Sequence, residues 1–407
     1  MNTIGGNQLT KRSSNRDAFE TRAIHAGQEP DPLTGAVVTP IYTASTFVQD
    51  GIGENKGFMY SRSGNPTRQV LEACLANLEG AVTAIACPTG LSAASTILEL
   101  LESGAHVVAH HDVYGGIYRL LELVRSRSAG LDVSFVNFAD PAEVEAAVRP
   151  DTAMLWFETP SNPLLEVVDI ELVVKQARRV GALTVCDNTF CSPYCQRPLE
   201  MGVDIVMHSA TKFLNGHSDL LAGVVAVSPN TDPEVAERIR FLQNSTGAVM
   251  DPIACSTLLR SLKTLPLRME RHGSNAQTIA EFLDQNKERF GISKLTYPGL
   301  PSHPQHELAK RQMSSFGAMI TMELNGGQAR ADKVAQSLRL FAYAVSLGGV
   351  ESLVQHPASM THAILPPERR EMLGVTDNLL RLSVGVEHVD DLIADLEAGL
   401  DRYNALV

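Results

Sequence analysis

One lysine carries the strongest chemical signal in this chain. Lys212 directly follows Ser209-Ala210-Thr211, at the end of Asp204-Ile-Val-Met-His-Ser-Ala210, a run that reads as a buried strand. Asp187, twenty-five residues before the lysine, closes a second apolar run, Leu183-Thr-Val-Cys186. A lone lysine is by default a solvated surface charge. A lysine and a carboxylate at the exits of neighbouring strands can do more. The lysine can hold a pyridoxal phosphate as a Schiff base, and the aspartate can keep its pyridine nitrogen protonated, so that the ring accepts electrons.

Three further features suit that chemistry. Ala84-Ile-Ala-Cys87 reads as a short strand, followed by Pro88-Thr89-Gly90-Leu91-Ser92 and a helical run from Ala93 to Leu101. A small-residue turn feeding a helix N-terminus offers free backbone N–H groups and the positive end of the helix dipole to a phosphate. Ser209 and Thr211 can add hydroxyl donors. In Tyr60-Ser61-Arg62-Ser63-Gly64-Asn65-Pro66-Thr67, the guanidinium fork of Arg62 matches phosphate oxygens. In Asp112-Val113-Tyr114-Gly115-Gly116, a tyrosine ahead of two glycines can lie flat over an aromatic cofactor, because glycine lets the backbone come close. Each segment alone is equally well a turn, an exposed loop or a packed ring.

The elements that position these residues are legible. From Glu72 to about Val227 short apolar runs alternate with helical patterns: Val107-Val-Ala, Val133-Ser-Phe-Val, Ala153-Met-Leu-Trp-Phe, Leu183-Thr-Val, Ile205-Val-Met and Gly223-Val-Val-Ala-Val. Such alternation predicts a mostly parallel sheet with helices on both faces. Ligands on these sheets sit beyond the strand C-termini, where Asp112, Glu158, Asp187 and Ser209 fall. Residues Asp251 to about Asn286 predict one long helix bridging two domains. Beyond it, Ala318 to Leu324 and Leu379 to Val384 alternate like half-buried strands, and Asp390 to Tyr403 reads as a helix. That is an α+β domain with a small, mainly antiparallel sheet. Residues up to about Ser61 are rich in Pro, Gly, Thr and Ser and weakly patterned, as expected of an arm that crosses onto another subunit.

Composition narrows the partners. The 407 residues are 44% hydrophobic and 20% charged, ordinary for a soluble globular protein long enough for two domains. A net charge of −12 disfavours nucleic acid and anionic membranes. No apolar run is long enough to span a bilayer, and the first residues lack an apolar signal core, so a cytoplasmic location is expected. Six cysteines in a chain this long do not make a disulfide framework. Cys186, Cys191 and Cys195 lack zinc-like spacing and a fourth ligand. His110 and His111 are adjacent, so on a strand they point to opposite sides and do not share a metal. No metal site is expected.

Together the motifs resemble the Cys/Met-metabolism family of pyridoxal phosphate enzymes, which includes cystathionine γ-lyase, methionine γ-lyase and the cystathionine synthases and β-lyases. The likeness rests on Tyr60-Ser-Arg62-Ser-Gly-Asn-Pro, Tyr114-Gly-Gly, Glu158-Thr-Pro-Ser-Asn162-Pro, Asp187-Asn-Thr-Phe, Ser209-Ala-Thr-Lys212-Phe-Leu-Asn-Gly-His-Ser-Asp219 and Ser346-Leu-Gly-Gly-Val-Glu-Ser, and runs from about Phe19 to about Leu400. It implies an α/β fold of PLP fold type I (aspartate aminotransferase-like). The large domain has a mostly parallel seven-stranded sheet, and a smaller α+β domain follows. The implied division is an N-terminal arm over 1–62 that contacts a neighbouring subunit, a PLP-binding domain over 63–262 and a C-terminal domain over 263–407.

The resemblance also implies roles. Pyridoxal 5'-phosphate is covalently bound to Lys212, Asp187 pairs with its pyridine nitrogen, and Tyr114 stacks on its ring. Gly90, Leu91, Ser209 and Thr211 hold the phosphate, and Tyr60 and Arg62 reach the phosphate of a neighbouring subunit's cofactor. Asn162 sits near the phenolic oxygen. Arg381 and Ser346 bind the carboxylate of a small amino-acid substrate. Active sites are then shared in a homo-oligomer, a tetramer built as a dimer of dimers. The implied activity is carbon–sulfur γ-lysis of an L-sulfur amino acid, namely methionine, homocysteine or cystathionine. A γ-replacement synthase using an O-acylhomoserine and a thiol is the alternative, and a non-catalytic cofactor-binding homologue a weaker one. Cystathionine enzymes of the family typically carry a glutamate before the Ser-Leu-Gly that here follows Val345. Valine cannot pair with an ammonium, which resembles methionine γ-lyase. Gly116, where methionine γ-lyases usually carry cysteine, pulls the other way.

Overall fold

A computed structural model describes residues 16–363 and 366–404. Residues 1–15 of the expected arm, with the polar N-terminus, lie outside the described residues. The first sheet contains β1 (Thr83–Cys87), β2 (His106–His110), β3 (Asp132–Val136), β4 (Thr152–Glu158), β5 (Leu183–Asp187), β6 (Ile205–Ser209) and β7 (Gly223–Val227). Its order is β1-β7-β6-β5-β4-β2-β3. Only β7 runs against its neighbours, β1 and β6; the other pairings are parallel. This is the expected α/β architecture.

Burial on both faces explains the unbroken apolar runs. Side chains alternate across a strand, so Val108, Phe157, Cys186, Val206 and Val224 join one core. Ala109, Trp156, Val185, Met207 and Val225 join the other. The helices start where their caps direct. Asn65 accepts hydrogen bonds from the backbone of Thr67 and Arg68 to open the helix Pro66–Glu79, which stops at left-handed Gly80.

The second sheet has order β10-β11-β12-β9-β8. Its strands are β8 (Ile292–Thr296), β9 (Met319–Leu324), β10 (Ala342–Tyr343), β11 (Leu353–Gln355) and β12 (Leu379–Ser383). All its pairings but β10–β11 are antiparallel.

One expectation needs correction. The predicted single helix from Asp251 to Asn286 is two, Pro252–Leu262 and Leu265–Gln285. Pro266 stands in the first turn of the second helix, where its missing N–H costs nothing; carried inside one continuous helix it would break the hydrogen-bond ladder. Among the described residues no helix is long and apolar enough to cross a membrane.

Candidate active site

The C-terminal ends of the parallel strands and the loops after them meet in one cluster. Lys212 lies just past β6, its backbone N–H donating to Ser209 O at 3.2 Å. Its Nζ donates to Ser346 Oγ at 2.7 Å. Burial lowers the amine from the usual lysine range to about 8, and the charge of Arg381 adds to the effect. Ser346 itself has a backbone φ of 102°. A non-glycine residue there is strained, and such strain collects at functional sites.

Asp187 ends β5, in register with Glu158 of β4 and Met207 of β6. Its Oδ1 accepts from the Thr189 backbone at 3.0 Å and from the Thr189 hydroxyl. Burial pushes its carboxyl upward, while the Thr189 bonds and the charge of His208 pull it back. Thr189 Oγ1 also accepts from the Ser209 backbone N–H at 2.8 Å, which ties the aspartate to the lysine-bearing strand.

The predicted phosphate seat is tightly built. Thr89 caps the helix Gly90–Leu98, its Oγ1 accepting from Ser92 N at 3.0 Å. A Cβ on Gly90 would lie 2.9 Å from Ser209 Cβ, and one on Gly223 would lie 2.1 Å from Thr89 O. Only glycines let the helix N-terminus press onto β6 and β7 this closely. Leu91 is half-buried beside it. Thr211 is engaged elsewhere, its Oγ1 donating to Ala222 O at 3.3 Å and accepting from Ala222 N at 3.0 Å.

Tyr114 is held from its backbone, whose N–H donates to Glu158 Oε2 at 2.9 Å. Its ring lies over Gly116, where a Cβ would sit 2.4 Å from ring Cε1. Burial and the neighbouring Asp187 raise Glu158 well above the usual carboxylate range.

Arg381, on β12, is nearly fully buried. Its Nη1 donates to Asn162 Oδ1 at 2.5 Å, and its Nη2 to Ser346 O at 2.9 Å and to Gln355 Oε1. Its Nε has no partner among the described residues. Lys212 thus joins two runs of contacts into a ring, Ser346 and Arg381 with Asn162 on one side and Ser209, Thr189, Asp187 and Glu158 on the other, and the charge of Arg381 acts on Glu158. Val345 is 58% exposed beside Ser346. Tyr60 and Arg62 do not join the ring through any hydrogen bond among the described residues. Arg62 Nη1 donates to Asn244 O at 2.8 Å and to its Oδ1 at 3.0 Å.

Sequence reading assigned no role to Glu158, Thr189 or Gln355. The first two stood inside motifs already noted, at a strand end and two residues past Asp187. Gln355 carries no sequence signal, because only the β11–β12 register sets it opposite Arg381.

The model of the Cys/Met metabolism PLP-dependent enzymes matches residues 20–401. This chain belongs to that family. It is 52% identical over 392 residues to a cystathionine β-lyase of Coxiella burnetii, covering 96% of this chain and all of that one (100%). It is 47% identical over 388 residues to a cystathionine γ-lyase of Bos taurus, covering 95% and 94% of the two chains. Among solved structures, a cystathionine γ-synthase from Xanthomonas oryzae pv. oryzae in complex with aminoacrylate and cysteine superposes with a TM-score of 0.92. There the identity is 42%, and the match covers 96% of this chain and 100% of that one.

Pyridoxal phosphate is therefore the cofactor, and the residues present suit it: a glycine-lined helix N-terminus, a buried carboxylate and a lysine shifted toward its neutral, nucleophilic form. Two outcomes are expected. Covalent cofactor capture by the apoprotein should rise about tenfold per pH unit below about 8 and then level off, because only the neutral amine attacks. Borohydride trapping followed by mass measurement reads this directly; a rate still climbing at the pH of an ordinary lysine would mean that the amine is not desolvated. Gly116→Leu should force the Tyr114 ring off its seat and lower kcat/KM by roughly tenfold to a hundredfold, since small misplacements at a reacting centre are costly. Unchanged kinetics would show that the ring has room to move.

Proposed function

We propose that this chain is a carbon–sulfur γ-lyase, cleaving an L-sulfur amino acid to a 2-oxo acid, ammonia and a thiol. The observation that carries the reading is Lys212 Nζ on Ser346, whose carbonyl is in turn held by the buried Arg381. A proton-carrying amine and a carboxylate-binding guanidinium are the two groups an α-amino acid must meet. The cofactor, attached at Lys212, supplies the electron sink. Arg381 and Ser346 fix the substrate carboxylate. The freed Lys212 amine would take the proton from Cα, pass it to the cofactor and, neutral again, take one from Cβ, which would allow a sulfur on Cγ to leave. Tyr114, anchored by Glu158, protonates that sulfur as general acid. Burial and the charge of Asp187 raise Glu158, and Asp187 is the carboxylate assigned to the ring nitrogen.

Val345 bears on the substrate. An apolar side chain there favours a thioether such as methionine over a distal ammonium. Val345→Glu gives an ammonium a charge partner, with hydrogen bonds to charged groups worth about 1.5–3 kcal/mol. It also burdens an apolar substrate with an unpaired charge. The kcat/KM ratio should move toward cystathionine and away from methionine; an unmoved ratio in a folded variant would mean that residue 345 does not meet the distal group.

Two other readings have specific support. A relative named β-lyase is 52% identical against 47% for one named γ-lyase, and a structure named γ-synthase is 42% identical with a TM-score of 0.92. Incubation with methionine, homocysteine, cystathionine and O-succinylhomoserine, with and without cysteine, separates them by product mass. A γ-lyase yields cysteine and 2-oxobutanoate from cystathionine. A β-lyase yields homocysteine and pyruvate, and a synthase joins cysteine to the homoserine ester. Either of the last two patterns alone would overturn the γ-lyase reading.

An oligomer with shared sites belongs to the same proposal. Leu33, Val48 and Ile52 on the arm are 90%, 87% and 107% exposed in the single chain. Such apolar exposure fits a subunit contact, and the arm carries Tyr60 and Arg62. A tetramer, in the cytoplasm, is the assembly proposed.

A further inference from the structure

Two histidines and a glutamate converge behind the loop that carries Tyr114. His110 Nε2 and His111 Nε2 lie 3.1 and 3.0 Å from the same oxygen, Glu166 Oε2. All three atoms lie within 4.8 Å of one another. The two rings stack, with centroids 5.0 Å apart and planes inclined by 24°. This corrects the expectation that the adjacent histidines face apart. Alternation holds only while a strand continues, and β2 ends at His110, so both rings swing to one carboxylate.

We propose that His110, His111 and Glu166 form a binding site for a divalent metal of the Zn2+ class. Two imidazoles and a carboxylate are the donor set such ions take, with a fourth position left for water. Donor bonds of about 2.0–2.2 Å in a tetrahedron place ligand atoms roughly 3.3–3.6 Å apart. The two histidine–glutamate separations need to open by only a few tenths of an ångström, and the two imidazole nitrogens, within 4.8 Å of each other, need to settle into the same range. His110 is fully buried, whereas the His111 and Glu166 side chains are 22% and 24% exposed, which leaves an entry from solvent.

A second observation points the same way. Coordination through Nε2 leaves the one proton of His110 on Nδ1. That buried atom has no partner among the described residues, and neither has the buried Asp112 Oδ1. Metal-bound histidines typically donate their other N–H to a carboxylate or carbonyl; metal binding would have to draw His110 Nδ1 and this unpartnered Asp112 oxygen together. The other oxygen of Asp112 accepts from Ser161 Oγ and from Leu164 N. Ser161 Oγ in turn accepts from Glu166 N at 2.9 Å. A metal here would brace both loops that frame the active site, Asp112 to Tyr114 and Ser161 to Glu166.

The test uses holoenzyme stripped with EDTA and desalted. Co2+ is titrated in while its visible ligand-field absorption is followed, and Zn2+ is titrated by calorimetry. Wild type is expected to take up about one equivalent per chain with histidine-type Co2+ bands. His111→Asn and Glu166→Gln, both at partly exposed positions, should each weaken uptake by at least about tenfold. Zn2+ should raise Tm in wild type and not in the variants. Absence of Co2+ and Zn2+ uptake by wild type, or uptake unchanged in both folded variants, would overturn the site and leave a histidine–glutamate hydrogen-bond cluster.

Discussion

Lys212→Ala is expected to leave a folded protein that neither attaches the cofactor nor turns over. No second amine stands in the ring of contacts around Ser346 and Arg381. The variant loses at once the attachment point and the group that moves protons. Loss of a positioned proton-transfer group alone costs about 10²–10⁴-fold, and loss of covalent attachment adds to that. Folding should survive, because Nζ makes one hydrogen bond, to Ser346, and the core beneath is apolar. The measurement is kcat under saturating pyridoxal phosphate, with intact mass after borohydride reduction. Turnover within a few-fold of wild type would remove Lys212 from the mechanism.

Asp187→Asn is the second large effect. The amide is nearly the same shape and can still accept from the Thr189 backbone, so the strand end should hold. What it lacks is charge. Burial already raises this carboxyl, so a cationic N–H partner is what keeps it ionised, and a neutral amide gives such a partner no reason to stay protonated. Hydrogen bonds to charged groups are worth about 1.5–3 kcal/mol, which is roughly a tenfold to hundredfold loss of kcat, since each 1.36 kcal/mol is tenfold. Cofactor content should fall as well. An unchanged kcat, with cofactor at full occupancy, would mean that Asp187 does not face the ring nitrogen.

Much of this was readable before any fold was known. The alternation of short apolar runs with helical patterns predicts a parallel sheet, because strands buried on both faces must be apolar throughout. The placement of Asp112, Glu158, Asp187 and Ser209 at strand ends follows from the same pattern. Capping also has a local code, and Asn65 and Thr89 supply it through side-chain oxygens that reach the next turn. The break at Lys263–Thr264 is hidden in the sequence because both helices keep an apolar face and the apolar pattern runs on across it.

Local pattern in the sequence determined the type and order of the elements, the lysine and carboxylate at neighbouring strand exits, and the family. Contacts between residues far apart in the chain were decided by tertiary structure alone. Ser346 reaches Lys212 across 134 residues, and Arg381 reaches Asn162 across 219. Side-chain direction at a strand end was decided there too, which is why His110 and His111 meet at Glu166 instead of facing apart. Periodicity is a property of neighbours along the chain and constrains a side chain only while the regular element lasts. Where strands stop and loops begin, packing against distant segments takes over, and the chemistry of this protein is assembled at those ends.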